Sequence, residues 1–263
     1  MTDPADHDTD DQDTGDQEPG AKAQGERIAK FLARAGVASR RDAEVIVSEK
    51  RVRLNNAVVT HPATFVADGD IVTVDGKPVG VQRERTRLFR YHKPEGLMVT
   101  HKDPQGRPTV FEKLPAAMGR VVSVGRLDLN SEGLLLLTND GALARQLELP
   151  ANAWTRRYRV RAFGAPDSAE LAALINGITI EGERYGPIEA GLDSRKGDNV
   201  WLTVALKEGK NREVRKVLAH LGLQVSRLIR VAYGPFQLGT LPRRDVEEVT
   251  GKVLREQLPK VAP

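Results

Sequence analysis

The run Val124-Gly125-Arg126-Leu127-Asp128-Leu129-Asn130-Ser131-Glu132-Gly133-Leu134-Leu135-Leu136-Leu137-Thr138-Asn139-Asp140-Gly141 organises the larger part of this 263-residue chain. Val121 to Val124 and Leu134 to Leu137 read as strands, and the turn at Asn130-Ser131 is therefore anchored on an apolar core. Asp128 lies just past the first strand, two residues from Arg126. On a strand, residues two apart share a face. An arginine there can hold a polyanion while the carboxylate does chemistry beside it. Gly125, Gly133 and Gly141 read as backbone devices, with Gly141 in a positive-φ turn and a helix starting at Ala142.

Outward from this run, strand signals recur at Leu88-Phe89-Arg90-Tyr91, Tyr158-Arg159-Val160-Arg161 and Val200 to Leu206. Helix signals fall at Ala142 to Leu147, Ser168 to Ile175, Asn211 to Leu221 and Asp245 to Gln257. This order predicts an α+β domain over residues 88–250 with a mixed or antiparallel sheet and flanking helices, followed by a C-terminal helix or tail at 251–263. A polar linker at 81–87 separates it from a smaller α+β module at 26–80. There, Ile28, Phe31, Leu32 and Ala35 keep helical spacing up to Gly36, and Ser39 caps a second helix. Short strands follow around the turns Asn55-Asn56 and Asp75-Gly76.

The net charge of +4 hides an asymmetry. Residues 1–25 hold eight acids and one base, which leaves 39 bases against 28 acids in the remainder. Beyond Met1 the acidic tail has no large apolar residue and is expected to be disordered. The body is basic enough to attract phosphate backbones. Absence of cysteine rules out disulfides, thiolate catalysis and cysteine-ligated zinc, and fits a reducing, cytoplasmic setting. No apolar run approaches the ~20 residues of a membrane span, and the acidic start does not read as a signal peptide.

Bases cluster in three places. Arg34, Arg40 and Arg41 stand among eight that crowd into the two helices and first strand of the small module, which favours a phosphate-binding surface. Lys207-Glu208-Gly209-Lys210-Asn211-Arg212-Glu213-Val214-Arg215-Lys216 reads as a strand, a glycine loop and a helix, and the helix N-terminus with flanking bases suits an anion. It lacks the first glycine and the Ser/Thr of a nucleotide-binding P-loop. Thr155-Arg156-Arg157-Tyr158-Arg159-Val160 sets a tyrosine among bases on a strand, where its ring can stack on a nucleobase.

Arg34-Ala35-Gly36-Val37-Ala38-Ser39-Arg40-Arg41-Asp42-Ala43-Glu44 resembles the S4 RNA-binding domain, with Asn56 where that family usually has glycine. Gly125-Arg126-Leu127-Asp128, Tyr91-His92-Lys93-Pro94-Glu95-Gly96, Thr138-Asn139-Asp140-Gly141, Arg157-Tyr158-Arg159-Val160 and Gly209-Lys210-Asn211-Arg212-Glu213-Val214-Arg215 together resemble the RsuA/RluB-type ribosomal RNA pseudouridine synthases. The wording from Asn130 to Gly141 is closer to the 23S branch than to the 16S branch.

The resemblance implies that a uridine in ribosomal RNA is isomerised to pseudouridine: the base leaves its C1′–N1 bond, rotates and is rejoined through C5. Such a reaction needs no cofactor and no metal. Asp128 is implied as the catalytic carboxylate, acting at C1′, at C6 or in an elimination. Arg215 is implied as its basic partner, Tyr158 as the residue stacking on a flipped base, and Arg126 as the residue holding the flipped state. Lys93, Lys210 and Arg212 are read as phosphate contacts. The implied partner is 23S rRNA, free or in a pre-ribosomal particle, with the protein acting as a monomer. Three other readings remain open: a synthase of the same family acting on 16S rRNA or another RNA, a non-catalytic RNA-binding assembly factor, and a hydrolase pairing Asp128 with Glu132.

Overall fold

The computed structural model describes residues 25–80 and 85–257. These form two compact units divided between residues 83 and 84. The acidic stretch 1–24, linker residues 81–84 and residues 258–263 lie outside the described residues.

In the N-terminal unit, strand β1 (Glu26–Arg27) leads into helices α1 (Ile28–Arg34) and α2 (Arg40–Ser48). Strands β2 (Val52–Leu54), β3 (Ala57–Val58), β4 (Phe65–Val66), β5 (Val72–Val74) and β6 (Lys77–Pro78) follow. The sheet order is β3-β2-β5-β6, with β1 and β4 paired apart. Ser39 Oγ accepts from the Asp42 amide at the α2 N-terminus, as its sequence position predicts. Asn55 and Asn56 both have positive φ, as do Asp75 and Gly76, which suits the tight hairpin turns at those sites. Ile28, Leu32, Ala43, Val47, Val52 and Val72 form the core.

The C-terminal unit runs β7 (Leu88–Lys93), β8 (Val122–Val124), β9 (Glu132–Thr138), α3 (Gly141–Glu148), β10 (Arg156–Phe163), α4 (Ser168–Ala173), β11 (Ile178–Ile180), β12 (Glu183–Tyr185), β13 (Ile188–Lys196), β14 (Asn199–Leu206), α5 (Glu213–His220), β15 (Gln224–Tyr233), β16 (Phe236–Gln237), β17 (Val246–Glu248) and α6 (Gly251–Gln257). One nine-stranded sheet has the order β13-β14-β10-β15-β9-β7-β17, with β8 added to β9 and β16 to β15. Its β9–β15 seam is parallel and its other pairings are antiparallel, so the sheet is mixed.

Strand β9 is buried along its whole length. Leu134 and Leu136 join one core cluster with Leu143, Ala144 and Leu147 of α3. Leu135 and Leu137 join another with Phe89, Tyr91, Val110 and Leu127. Each fully buried leucine contributes about 2 kcal/mol, which makes this strand the anchor of the turn before it. A third cluster joins β10, β13, β14 and β15 to α4 and α5.

Some sequence expectations need correction. The segment 245–257 is not one helix: Val246–Glu248 pairs with β7, where Arg90 and Arg87 bind Glu247 and Glu248, and the helix begins at Gly251. Gly141 does not have positive φ; it is the first residue of α3, which Asp140 caps through the amides of Ala142 and Leu143. Thr86 and Arg87 hydrogen-bond to Asp140 and Asn139, so this end of the polar linker is tied into the second unit.

Candidate active site

Strand β8 ends at Val124 because Gly125 takes φ +66°, and residues 125–131 form a loop. Arg126 and Asp128 therefore do not share a strand face as their spacing suggests; both lie on the loop and line the same cleft. The loop is fixed at several points. The Gly125 amide donates to Glu148 at 2.6 Å, Leu127 is buried in the core, and the Gly96 amide donates to the Leu129 carbonyl at 2.8 Å. Arg215 donates to the Asn130 carbonyl at 2.8 Å and to the Val225 carbonyl at 3.0 Å.

Lys93 is the strongest of these ties. It is fully buried, and its ammonium donates to the carbonyls of Pro94 and Asp128 at 3.0 Å, of Leu129 at 3.4 Å and of Ser131 at 2.8 Å. Burial lowers its pKa to about 8, with the charge of Asp128 opposing the shift. The sequence reading of Lys93 as a phosphate contact is corrected: a lysine with no exposed surface cannot reach RNA.

The cleft has a volume of about 510 Å3 and is lined by Arg126, Asp128, Tyr158, Lys210 and Arg212 among others. Arg212 adopts a left-handed backbone (φ 53°) just before α5, and one guanidinium nitrogen lies 3.9 Å from Asp128 Oδ2. Among the described residues, Arg212 is the ion-pair partner of Asp128. Arg215, the basic partner implied by the sequence, donates to the Asn130 carbonyl of the loop and the Val225 carbonyl of β15. Burial and the adjacent Arg212 lower the Arg215 pKa, and the Asp128 charge opposes them. Tyr158 is half-buried on β10, and its hydroxyl makes no hydrogen bond among the described residues. Lys210 reaches the Arg184 carbonyl and lies 3.2 Å from Glu208.

The cleft also contains residues to which sequence reasoning gave no role. Arg156 lies over the Tyr233 ring and donates to its hydroxyl. Arg230 is buried, donates to the Leu134 carbonyl at 2.8 Å and leaves one nitrogen unpaired. Glu213 is buried, accepts from the Lys210 amide at 2.9 Å and leaves Oε1 unpaired; burial raises its pKa. Only the fold, which brings β10, β15 and the start of α5 around one cleft, reveals them. No group of three or more metal-ligating side chains occurs among the described residues. In the other unit, Arg40 and Arg41 are exposed and Arg34 pairs with Glu26.

Residues 87–220 match the model of the RNA pseudouridylate synthase family, and residues 26–72 match the S4 domain. A protein of Rickettsia bellii (strain RML369-C) named "Uncharacterized RNA pseudouridine synthase" is 47% identical over 230 residues, covering 88% of this chain and 99% of its own. The chain belongs to the RNA pseudouridine synthase family. This synthase is also 43% identical, over 87% of its length and 66% of the relative's, to "Ribosomal large subunit pseudouridine synthase B" of Haemophilus influenzae. A solved pseudouridylate synthase shares 25% identity with a TM-score of 0.61, covering 89% of this synthase and 99% of that chain. No described helix is long and apolar enough to cross a membrane.

Proposed function

We propose that this synthase isomerises a uridine of large-subunit (23S) ribosomal RNA, with Asp128 as the catalytic carboxylate. The observation that carries this reading is the shared cleft: Asp128 on a loop tied at several points, Arg212 at 3.9 Å, and Tyr158 lining the same space. A carboxylate that must stay ionised while water is excluded needs a cation beside it. Arg212 supplies that charge, and Arg215 holds the loop through Asn130. A uridine in folded RNA must be flipped to reach such a group. Arg126 then occupies or holds the vacated position, and Tyr158 stacks on the base. Lys210 and Arg212 meet phosphates at the rim.

On this reading residues 26–80 hold structured RNA through Arg34, Arg40 and Arg41, and residues 88–250 carry out the chemistry. The synthase acts in the cytoplasm as a monomer, on free 23S rRNA or on a pre-ribosomal particle. The large-subunit preference is supported by the names of relatives such as that of Haemophilus influenzae. Incubation with 23S and 16S transcripts, followed by carbodiimide-dependent reverse-transcriptase stops, tests it. A new stop in 23S alone is the expected result. A stop in 16S alone would redirect the substrate, and none in either would remove the proposed activity.

A further inference from the structure

Strand β10 alternates strictly. Arg156 and Tyr158 line the cleft and Val160 and Ala162 enter the core, so Arg157, Arg159, Arg161 and Phe163 stand exposed on the opposite sheet face. Helices α4 and α5 pack on the core side. Across the sheet, Arg161 lies directly opposite Trp201 of β14 and Arg227 of β15. The Arg159 guanidinium sits over the Trp201 ring at 4.9 Å. Phe163 is 52% exposed.

The charge of this face is not balanced. Among the described residues, neither Arg157 nor Arg159 has an acidic partner, and Arg161 donates only to Asn199. Glu132 is a buried carboxylate shared by Arg227 and Arg243. Glu95 lies near enough for its charge to act on Arg227, and the edge strand β13 adds Glu189, opposite Ala205, and Asp193, which accepts from Thr203. Like charges directly opposite one another, as in Arg161 and Arg227, weaken a sheet. A row of guanidiniums interleaved with aromatic rings is suited to a nucleic-acid strand: phosphates meet the charges and unpaired bases meet the rings.

We propose that this face is a second RNA-binding surface, which takes a phosphodiester segment of the same RNA whose uridine enters the cleft. It rests on the reading of the substrate as ribosomal RNA, but not on the role of Asp128. Arg157, Arg159 and Arg161 supply charges without an acidic partner along β10, Arg227, paired with Glu132, lies beside them on β15, and Trp201 is the stacking platform. One strand, β10, thereby presents Tyr158 to the reacting base and its arginines to a remote part of the polymer.

The test uses the full chain and a full-length 23S transcript. Kd is measured across a potassium chloride series for the wild type, the Arg159→Gln/Arg161→Gln double variant and the matching double lysine variant. Loss of two phosphate contacts should flatten the slope of log Kd against log salt by roughly 1.4 to 1.8. Affinity at low salt should fall severalfold, and the lysine variant should restore most of it. In turnover assays KM should rise while kcat holds. An unchanged slope and affinity would overturn the proposal. So would a fall in kcat at unchanged KM, because the effect would then pass through Tyr158 on the same strand. If the wild type forms no pseudouridine, the proposed activity fails, while the binding series still decides this surface.

Discussion

The Lys93 ammonium nitrogen lies 3.0 Å from the backbone carbonyl oxygen of Asp128 and has no exposed surface. A buried charge thus holds the main chain of the residue whose carboxylate faces the cleft, while the nearest cation to that carboxylate is Arg212. The two positive charges have separate tasks: one fixes the loop and the other faces its acid.

Lys93→Met keeps the apolar stem and removes the donor from four carbonyls. We expect a loss of about 3 kcal/mol in stability and a larger loss of turnover than of RNA affinity. The same lysine predicts a pH dependence. Its pKa of about 8 in the folded protein is below the ordinary 10.5, so the unfolded chain holds the proton more tightly. Between those values, rising pH makes this group's contribution to stability more favourable. The neutral amine, however, has only two hydrogens for four carbonyls. Turnover should fall as pH passes about 8, without a loss of stability from this group. Comparing the pH–rate profiles of wild type and Lys93→Met checks the assignment; an alkaline limb identical in both would count against it.

Gly133→Ala should be among the most damaging single changes. Gly133 has φ +101°, and an added Cβ would stand 2.2 Å from the Arg230 carbonyl oxygen across the parallel β9–β15 seam. Urea unfolding should show a loss of roughly 3 kcal/mol or more. A loss below ~1 kcal/mol would mean that the seam can open at little cost.

Arg212→Ala and Arg215→Ala should separate. The Arg212 side chain is 51% exposed, so its removal should slow turnover with little change in melting temperature. Arg215 is partly buried and ties Asn130 to Val225. Its removal should lower both turnover and stability, the latter by about 1–3 kcal/mol, with RNA affinity less affected. Equal effects on turnover and stability for the two variants would contradict the division of labour.

How much of this was legible beforehand depends on what each residue had to satisfy. The leucine run of β9, the Ser39 cap and the Asn55-Asn56 turn follow from local rules and appear where the sequence puts them. Strand β15 escaped notice because Arg227 and Arg230 interrupt its apolar pattern; in the fold they bind Glu132 and the Leu134 carbonyl, far away in sequence. Lys93 read as a phosphate contact and Glu213 drew no role, since burial of a charge depends on partners that only tertiary structure supplies. Val246–Glu248 reads as helix from its acidic run and becomes strand through Arg87 and Arg90 of its neighbour.

Glu213→Gln should stabilise the protein at neutral pH. Burial raises the Glu213 pKa, so the folded state holds the proton more tightly and stability is lost as pH rises from the ordinary carboxylate range through the raised value. The amide keeps an acceptor for the Lys210 amide. Melting curves should coincide near pH ~4 and diverge by pH ~8, with the variant more stable by about 1 kcal/mol. A less stable variant at the higher pH would show that the charged form is favoured in place.

The most direct measurement is single-turnover pseudouridine formation on 23S transcript by wild type and Asp128→Asn, with RNA affinity measured alongside. The variant is expected to bind within a few-fold of wild type and to form product at least ~10³-fold more slowly. Product formation by Asp128→Asn at a rate near that of the wild type would contradict the assignment of Asp128 as the catalytic carboxylate.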